Sequence, residues 1–96
     1  MVQFDNKKLA EICRRNDVAR VRMFGSAARG EETPASDIDL IVDFHTPKGF
    51  FELIRLEDEL KAFFGRRVDV VTEPGLSPAV RRSVLPVATV IFDDAA

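Results

Sequence analysis

The sequence predicts an α/β (α+β) domain in which helices pack on one small mixed sheet. Alternating apolar and polar residues predict strands over residues 18–24, 37–44 and 67–72. Apolar residues at near-3.6 spacing predict helices over residues 3–16 and 50–65. Because these two kinds of segment alternate along the chain, the helices are expected to cover the sheet.

The first helix is predicted by Phe4, Leu9, Ile12 and Cys13, which share one face. Strand 18–24 ends at Gly25, residues 26–30 are expected to form a single helical turn, and residues 31–36 a loop. Gly65 is placed to end the second helix. A short helix is predicted over residues 76–85, and residues 88–92 are either a last strand or an extended tail.

Length and composition narrow the possible functions. The 96 residues predict a single domain spanning residues 1–96, and the net charge of -2 gives no electrostatic case for direct nucleic-acid binding. A single cysteine, Cys13, forms no internal disulfide and is expected in the core, so the protein is expected to be intracellular, in the cytoplasm. No apolar run reaches the roughly 20 residues of a membrane span, and the chain does not begin with a signal-peptide pattern.

Three aspartates on the predicted strands suggest a metal site. Asp37 and Asp39 lie two residues apart in a strand, so they project to the same side with Cα atoms about 6.5–7 Å apart. Asp69 is embedded in a second strand, and if the two strands are neighbours the three carboxylates converge. Like charges about 4 Å apart repel by about 4 kcal/mol at an effective dielectric of 20, so convergence implies bound cations or partial protonation.

Oxygen-only donors favour Mg²⁺ or Mn²⁺ over zinc. Two such ions held by three aspartates are typical of in-line displacement at phosphorus. The alternative is that Asp37 caps the loop and Asp39 is exposed at a strand end, which is the better interpretation of an isolated Asp-x-Asp. The recurrence of Asp69 and the preceding Gly25-Ser26 pair favour the metal site.

Gly25 and Ser26 stand where a strand meets a predicted helical turn. Backbone N–H groups at such a turn favour anions, and a glycine lets a phosphate approach the backbone. Ser26 can add its hydroxyl, and Arg29 one turn later can contact a phosphate or a site carboxylate. Taken alone, the Gly-Ser pair is more often an ordinary turn and N-cap.

Gly25-Ser26, ten further residues and then Asp37-x-Asp39 resemble the signature of the DNA polymerase β-like nucleotidyltransferase superfamily. The flanking segments Ala28-Arg29-Gly30 and Ser36-Asp37-Ile38-Asp39-Leu40 resemble its minimal nucleotidyltransferase (MNT) branch. The resemblance implies that fold and the metal-dependent transfer of a nucleoside monophosphate from a nucleoside triphosphate. It assigns Asp37 and Asp39 to both metals, Asp69 to the catalytic metal, and Gly25, Ser26 and Arg29 to the nucleotide.

Members of the MNT branch resemble antitoxins whose partner is a HEPN-domain toxin. The resemblance therefore implies that the protein transfers AMP from ATP, with two Mg²⁺ ions or Mn²⁺, to a tyrosine hydroxyl of a cognate toxin in a hetero-oligomer. One alternative is an antitoxin that neutralises the toxin by binding alone. A second is nucleotidyl transfer to a small molecule, against which the lack of an acceptor-binding lobe argues.

A few side chains outside this signature have two interpretations. Phe44, Phe50 and Phe51 flank a predicted turn, and each taken singly is expected in the core. The alternative is that at least one of them is exposed as a docking anchor. His45 is expected to be an exposed turn residue. The pairs Arg66-Arg67 and Arg81-Arg82 are expected on solvated faces, with contacts to a partner or RNA as the minor alternative.

Overall fold

The computed structural model describes residues 3–25, 28, 30 and 36–94. Four strands in these ranges form one sheet in the order β3-β2-β1-β4. They are β1 (Val18–Phe24), β2 (Ile38–Phe44), β3 (Val68–Val71) and β4 (Thr89–Asp93). Because β2 is parallel to β3 while β1 is antiparallel to both of its neighbours, the predicted mixed sheet is confirmed.

Three α-helices lie in the described ranges: α1 (Asn6–Arg15), α2 (Phe50–Phe64) and α3 (Pro78–Val84). Helix α1 begins later than the predicted residue 3 because the Asp5 side chain caps it, accepting hydrogen bonds from the backbone N–H groups of Lys7 and Lys8 at 2.9 and 3.2 Å. Helix α2 ends at Gly65, whose φ of 69° is left-handed, as predicted.

The hydrophobic core lies on one face of the sheet, under α1 and α2. Its members are fully or almost fully buried: Leu9, Cys13, Val18, Val21, Met23, Ile38, Leu40, Val42, Leu56, Leu60, Val68, Val70 and Phe92. Phe4 packs edge-on against Phe63 and Phe64, where α1 meets α2. Cys13 is buried as predicted, and burial raises the pKa of its thiol to about 12, so it stays protonated at neutral pH.

Residues 88–92 were predicted to be either a last strand or an extended tail, and the structure places most of them in β4. β4 pairs with β1 in antiparallel register, with Val21 opposite Phe92, and the Phe92 side chain is 8% exposed in the core. The segment is therefore a strand of the sheet and not an extended tail. It is preceded by two short 3-10 helices, Glu73–Gly75 and Leu85–Val87, on either side of α3.

The opposite face of the sheet carries polar side chains and is called the site face below. Asp39 and Asp43 of β2 lie on it, because the alternate residues Leu40 and Val42 point into the core. Ile41 is also fully buried yet is not part of the core cluster, which agrees with its place on the same side of β2 as Asp39 and Asp43.

The crossover from β3 to β4 is tied to the site face by a partly buried arginine. Arg22 of β1 is 11% exposed, and its Nη2 donates to Asp43 Oδ2 and to Glu73 Oε2, each at 3.1 Å. Arg81 of α3 donates through Nη2 to the Glu73 carbonyl oxygen at 3.2 Å. The prediction that Arg81 is fully solvated was therefore wrong, whereas Arg82 is exposed as expected.

The expectation that Phe50 and Phe51 each lie in the core was wrong, and the alternative that at least one phenylalanine beside the turn is exposed is confirmed. Phe50 and Phe51, expected in the core, are 72% and 80% exposed, because they occupy the first turn of α2 on the side turned away from the sheet. Their rings contact each other at a centroid distance of 6.4 Å. Phe44 is half-buried against the core, and His45 is exposed as predicted, 3.0 Å from Asp94.

Candidate active site

The candidate site lies where β2 and β3 begin. These parallel strands pair Ile38 with Val68 and Asp39 with Asp69, so the two aspartates are direct neighbours on the site face. Asp69 is exposed on the outer strand of the sheet, whereas Asp39 is half-buried on an inner strand. Asp39 is therefore more buried than Asp69 because its strand has neighbours on both sides.

Asp39 also lies beside the end of β1. Its register partner in β1 is Phe24, and Gly25 follows immediately with a left-handed φ of 74°. A Cβ built on Gly25 would lie 2.6 Å from Asp39 Oδ2, closer than such atoms approach in proteins. Glycine is therefore required here both for the backbone conformation and for the space that the carboxylate occupies.

The pKa of the Asp39 carboxyl is affected by burial and by the two neighbouring aspartates. Burial raises the pKa of the Asp39 carboxyl, and the negative charges of Asp69 and then of Asp37 raise it further. The half-buried position of Asp39 thus disfavours the ionised form of its carboxyl. A nearby divalent cation would remove this penalty.

Asp37 has a positive neighbour. It precedes β2 and is half-buried, and its Oδ2 lies 3.9 Å from Nη1 of Arg67. No three His, Cys, Asp or Glu side chains among the described residues are close enough together to hold a metal ion in this conformation. The donor set of two or three carboxylates nevertheless suits a hard cation in chemistry.

The remaining predicted site residues, Ser26 and Arg29, lie outside the described residues, together with most of the predicted helical turn and loop. Their assignment to the nucleotide stays a prediction, as does the assignment of Asp37, Asp39 and Asp69 to metal ions. The structure brings Asp39, Asp69 and Gly25 together and places Asp37 next to them.

Sequence reasoning missed Arg67 as part of this site, because it assigned Arg67 to a solvated face. The signal was present: aligning the two strands by Asp39 and Asp69 puts Arg67 opposite Asp37. It also missed the contacts of Arg22 with Asp43 and Glu73, which join three separate segments and leave no local pattern.

Two cavities lie away from these aspartates. One, of about 670 Å³, lies between α1 and α2 beside Phe4 and Phe63. The other, of about 430 Å³, lies at the far end of β2 beside Phe44 and His45. Neither is lined by Asp37, Asp39 or Asp69, so the choice of site depends on side-chain chemistry and strand register.

Comparison with known families decides the identity of the fold. The model of the nucleotidyltransferase domain family matches residues 6–87, which include Gly25, Asp37, Asp39 and Asp69. The chain belongs to the nucleotidyltransferase domain family. The resemblance drawn from the Gly-Ser pair and the aspartates is thereby confirmed, and the nucleotidyltransferase has relatives of similar length.

Two curated relatives are archaeal. Protein adenylyltransferase MntA of Thermococcus cleftensis is 37% identical over 75 residues, covering 78% of this chain and 76% of the relative. A Methanocaldococcus jannaschii protein with the provisional name protein adenylyltransferase MJ0435 is 37% identical over 79 residues, covering 82% and 85%. The nucleotidyltransferase is therefore similar to enzymes named for the transfer of adenylyl groups to proteins.

Solved structures share the fold. One, provisionally described as a minimal nucleotidyltransferase, is 41% identical with a TM-score of 0.75 and covers 86% of this nucleotidyltransferase and 85% of that chain. A toxin–antitoxin structure with AMP-PNP has a TM-score of 0.78 at 21% identity, covering 94% and 74%. At that identity the second match supports the fold alone. None of the helices described in this chain is long and apolar enough to cross a bilayer.

Proposed function

We propose that this nucleotidyltransferase is an antitoxin that transfers AMP from ATP to a hydroxyl group, most simply that of a tyrosine, on a HEPN-domain toxin. The observation that carries the proposal is the register that sets Asp39 beside Asp69, next to Gly25. A relative that is 37% identical is named a protein adenylyltransferase. A structure with the same fold, from Shewanella oneidensis, holds a tri-AMPylated HEPN toxin with its MNT antitoxin.

The transfer is a substitution at the α-phosphorus of ATP. A bond forms from the acceptor oxygen to this phosphorus, and the bond to the bridging oxygen of the departing pyrophosphate breaks. The proton of the acceptor hydroxyl passes to a carboxylate, for which we assign Asp69, because it is exposed on the outer strand where an acceptor can reach it.

Two divalent cations, Mg²⁺ or Mn²⁺, would be held by Asp37 and Asp39, with Asp69 as a ligand of the catalytic one. Bound there, they would neutralise the triphosphate and stabilise charge on the attacking and leaving oxygens. Gly25 provides backbone that a phosphate can approach, and Ser26 and Arg29 are assigned to the triphosphate. Adenine selection is not assigned to any residue.

The test is transfer of label. The purified protein is incubated with α-labelled ATP, Mg²⁺ and the protein encoded by the adjacent gene, and tyrosine modification is located by mass spectrometry. Label on the partner that disappears with Asp69→Asn, in a variant with unchanged melting temperature, is the expected result. An unlabelled partner under every metal tried, with the wild-type fold intact, would contradict the proposal.

Neutralisation by binding alone is a second candidate, favoured by the exposed Phe50 and Phe51. Apolar aromatic rings on a surface are typical contact residues of protein interfaces. A variant with Asp37, Asp39 and Asp69 all changed to alanine separates the two candidates. If it protects cells from the toxin as well as the wild type does, the chemistry is dispensable and binding is the function.

A further inference from the structure

Arg67 stands beside the site in a position that the register of β2 and β3 imposes. The backbone N–H of Ile38 donates to the Arg67 carbonyl oxygen at 3.0 Å, so Arg67 is the neighbour of Asp37, as Asp69 is the neighbour of Asp39. At the start of β2 and β3, the guanidinium of Arg67 therefore faces the carboxylate of Asp37. Next to this pair, the carboxylates of Asp39 and Asp69 face each other.

The contact between Arg67 and Asp37 is loose enough to exchange. The distance of 3.9 Å from Nη1 to Oδ2 exceeds that of a hydrogen bond, and the Arg67 side chain is 74% exposed. Such an exposed pair contributes little to stability, and a stronger competitor displaces it readily. A divalent cation is a stronger competitor for a carboxylate than an exposed guanidinium is.

We infer that Arg67 is an exchangeable counter-ion of the site: it pairs with Asp37 when no metal is bound and turns to the nucleotide phosphates once metal and nucleotide enter. This role rests on the proposed function, because it presupposes that Asp37 holds metal. A guanidinium group suits the contact with the nucleotide phosphates, because its planar N–H donors can bind two phosphate oxygens at once.

The inference requires that removing Arg67 has opposite effects on two ligands. Without the competing positive charge, metal alone binds more tightly, by up to about fivefold, the range set by an exposed ion pair. Metal with nucleotide binds more weakly, by about tenfold, because a charge-assisted contact to phosphate is lost. A residue that merely supports the fold would weaken both.

The experiment measures Mn²⁺ binding by electron paramagnetic resonance and binding of Mn²⁺ with a non-hydrolysable ATP analogue by calorimetry. The variants are Arg67→Ala, Arg67→Lys and the control Arg55→Ala, which removes a charge from an exposed position on α2. We expect tighter Mn²⁺ and weaker nucleotide binding in Arg67→Ala, partial recovery of nucleotide binding in Arg67→Lys, and wild-type values in Arg55→Ala.

Asp39→Asn separates this inference from the proposed function. If the wild type binds Mn²⁺ and nucleotide and Asp39→Asn binds neither, the proposed metal and nucleotide site is confirmed. If, in that case, Arg67→Ala leaves both affinities unchanged or lowers both of them, only the proposed role of Arg67 is overturned. A wild-type protein that binds neither ligand overturns both the role and the proposed function.

Discussion

Asp39 lies directly opposite Asp69 in the parallel register of β2 and β3, with no residue offset between them. One of the two is half-buried and the other is exposed, and burial together with the charges of Asp69 and Asp37 raises the pKa of Asp39. The folded chain thus brings two like charges together on adjacent strands.

Asp69→Asn is expected to reduce AMP transfer by at least a thousandfold, because it removes a carboxylate assigned to both metal and proton. In chelator the variant is expected to be more stable than the wild type by up to about 1 kcal/mol, the scale of partly exposed charge pairs, since one repelling charge is gone. Label transfer and thermal melting in EDTA measure the two effects. A lowered melting temperature would contradict the electrostatic account.

The stability of the metal-free protein is expected to depend on the titration of Asp39. A carboxyl with a raised pKa binds its proton more tightly in the folded than in the unfolded state, so the free energy of unfolding falls as pH rises from the ordinary aspartate pKa through the raised value. Asp39→Asn is expected to flatten this dependence. Urea unfolding in EDTA across the acidic range tests it, and a wild-type profile no steeper than that of the variant would contradict it.

Gly25→Ala is expected to abolish transfer and to cost about 1–3 kcal/mol of folding stability, because the new Cβ meets Asp39 Oδ2 and the left-handed φ is strained. Gly65→Ala is the matched control. It has a similar φ of 69° but no atom within 4 Å of the added carbon. The control is expected to lose stability by about 1 kcal/mol and to keep full transfer activity. Equal losses of activity in the two variants would remove the special role of Gly25.

Arg22→Ala is expected to destabilise the fold by about 1–3 kcal/mol, because it removes the Arg22 guanidinium from the Glu73 carboxylate and leaves Asp43 paired with Arg20 alone. Arg82→Ala, at an exposed position of the neighbouring helix, is expected to change stability by less than about 0.5 kcal/mol. Chemical denaturation of both variants tests the contrast. Similar values for the two would show that Arg22 does not hold the β3–β4 crossover.

Phe51→Ser is expected to leave stability within about 0.5 kcal/mol of the wild type, whereas Leu56→Ala on the same helix is expected to cost about 2–5 kcal/mol. The difference follows from exposure, 80% for the phenylalanine against none for the leucine. The expectation of a docking anchor near residues 50 and 51 stays a prediction. A tenfold weaker complex of Phe51→Ser with the toxin, measured by calorimetry, would support it.

Much of the fold follows from local pattern. Alternation and helical spacing predicted β1, β2, β3 and α2 to within a residue or two, and Gly65 marked where α2 ends. The start of α1 was misplaced because the Asp5 cap, and not the apolar pattern, determines it. Periodicity does not distinguish a phenylalanine at the edge of an apolar stripe from one in the core, which is why Phe50 and Phe51 were assigned wrongly.

Only part of the candidate site was predictable from the sequence, and the reason is physical. Two carboxylates in one strand and one in another can be read from sequence, but their meeting depends on the strands being neighbours in a particular register. Pairings between distant segments, such as Arg22 with Glu73 and β1 with β4, have no such signal. Arg67 is the intermediate case, since its place beside Asp37 follows once the register is known.

The position of Asp69 on an outermost strand has a consequence for what the protein can modify. Among the described residues no strand pairs with the outer edge of β3, and Asp69 is exposed there, so the proposed acceptor hydroxyl can reach it directly from solvent. The acceptor need not be threaded through a channel or unwound into an extended peptide. Under the proposed function, a natively folded protein that presents one projecting side chain is therefore a sufficient target.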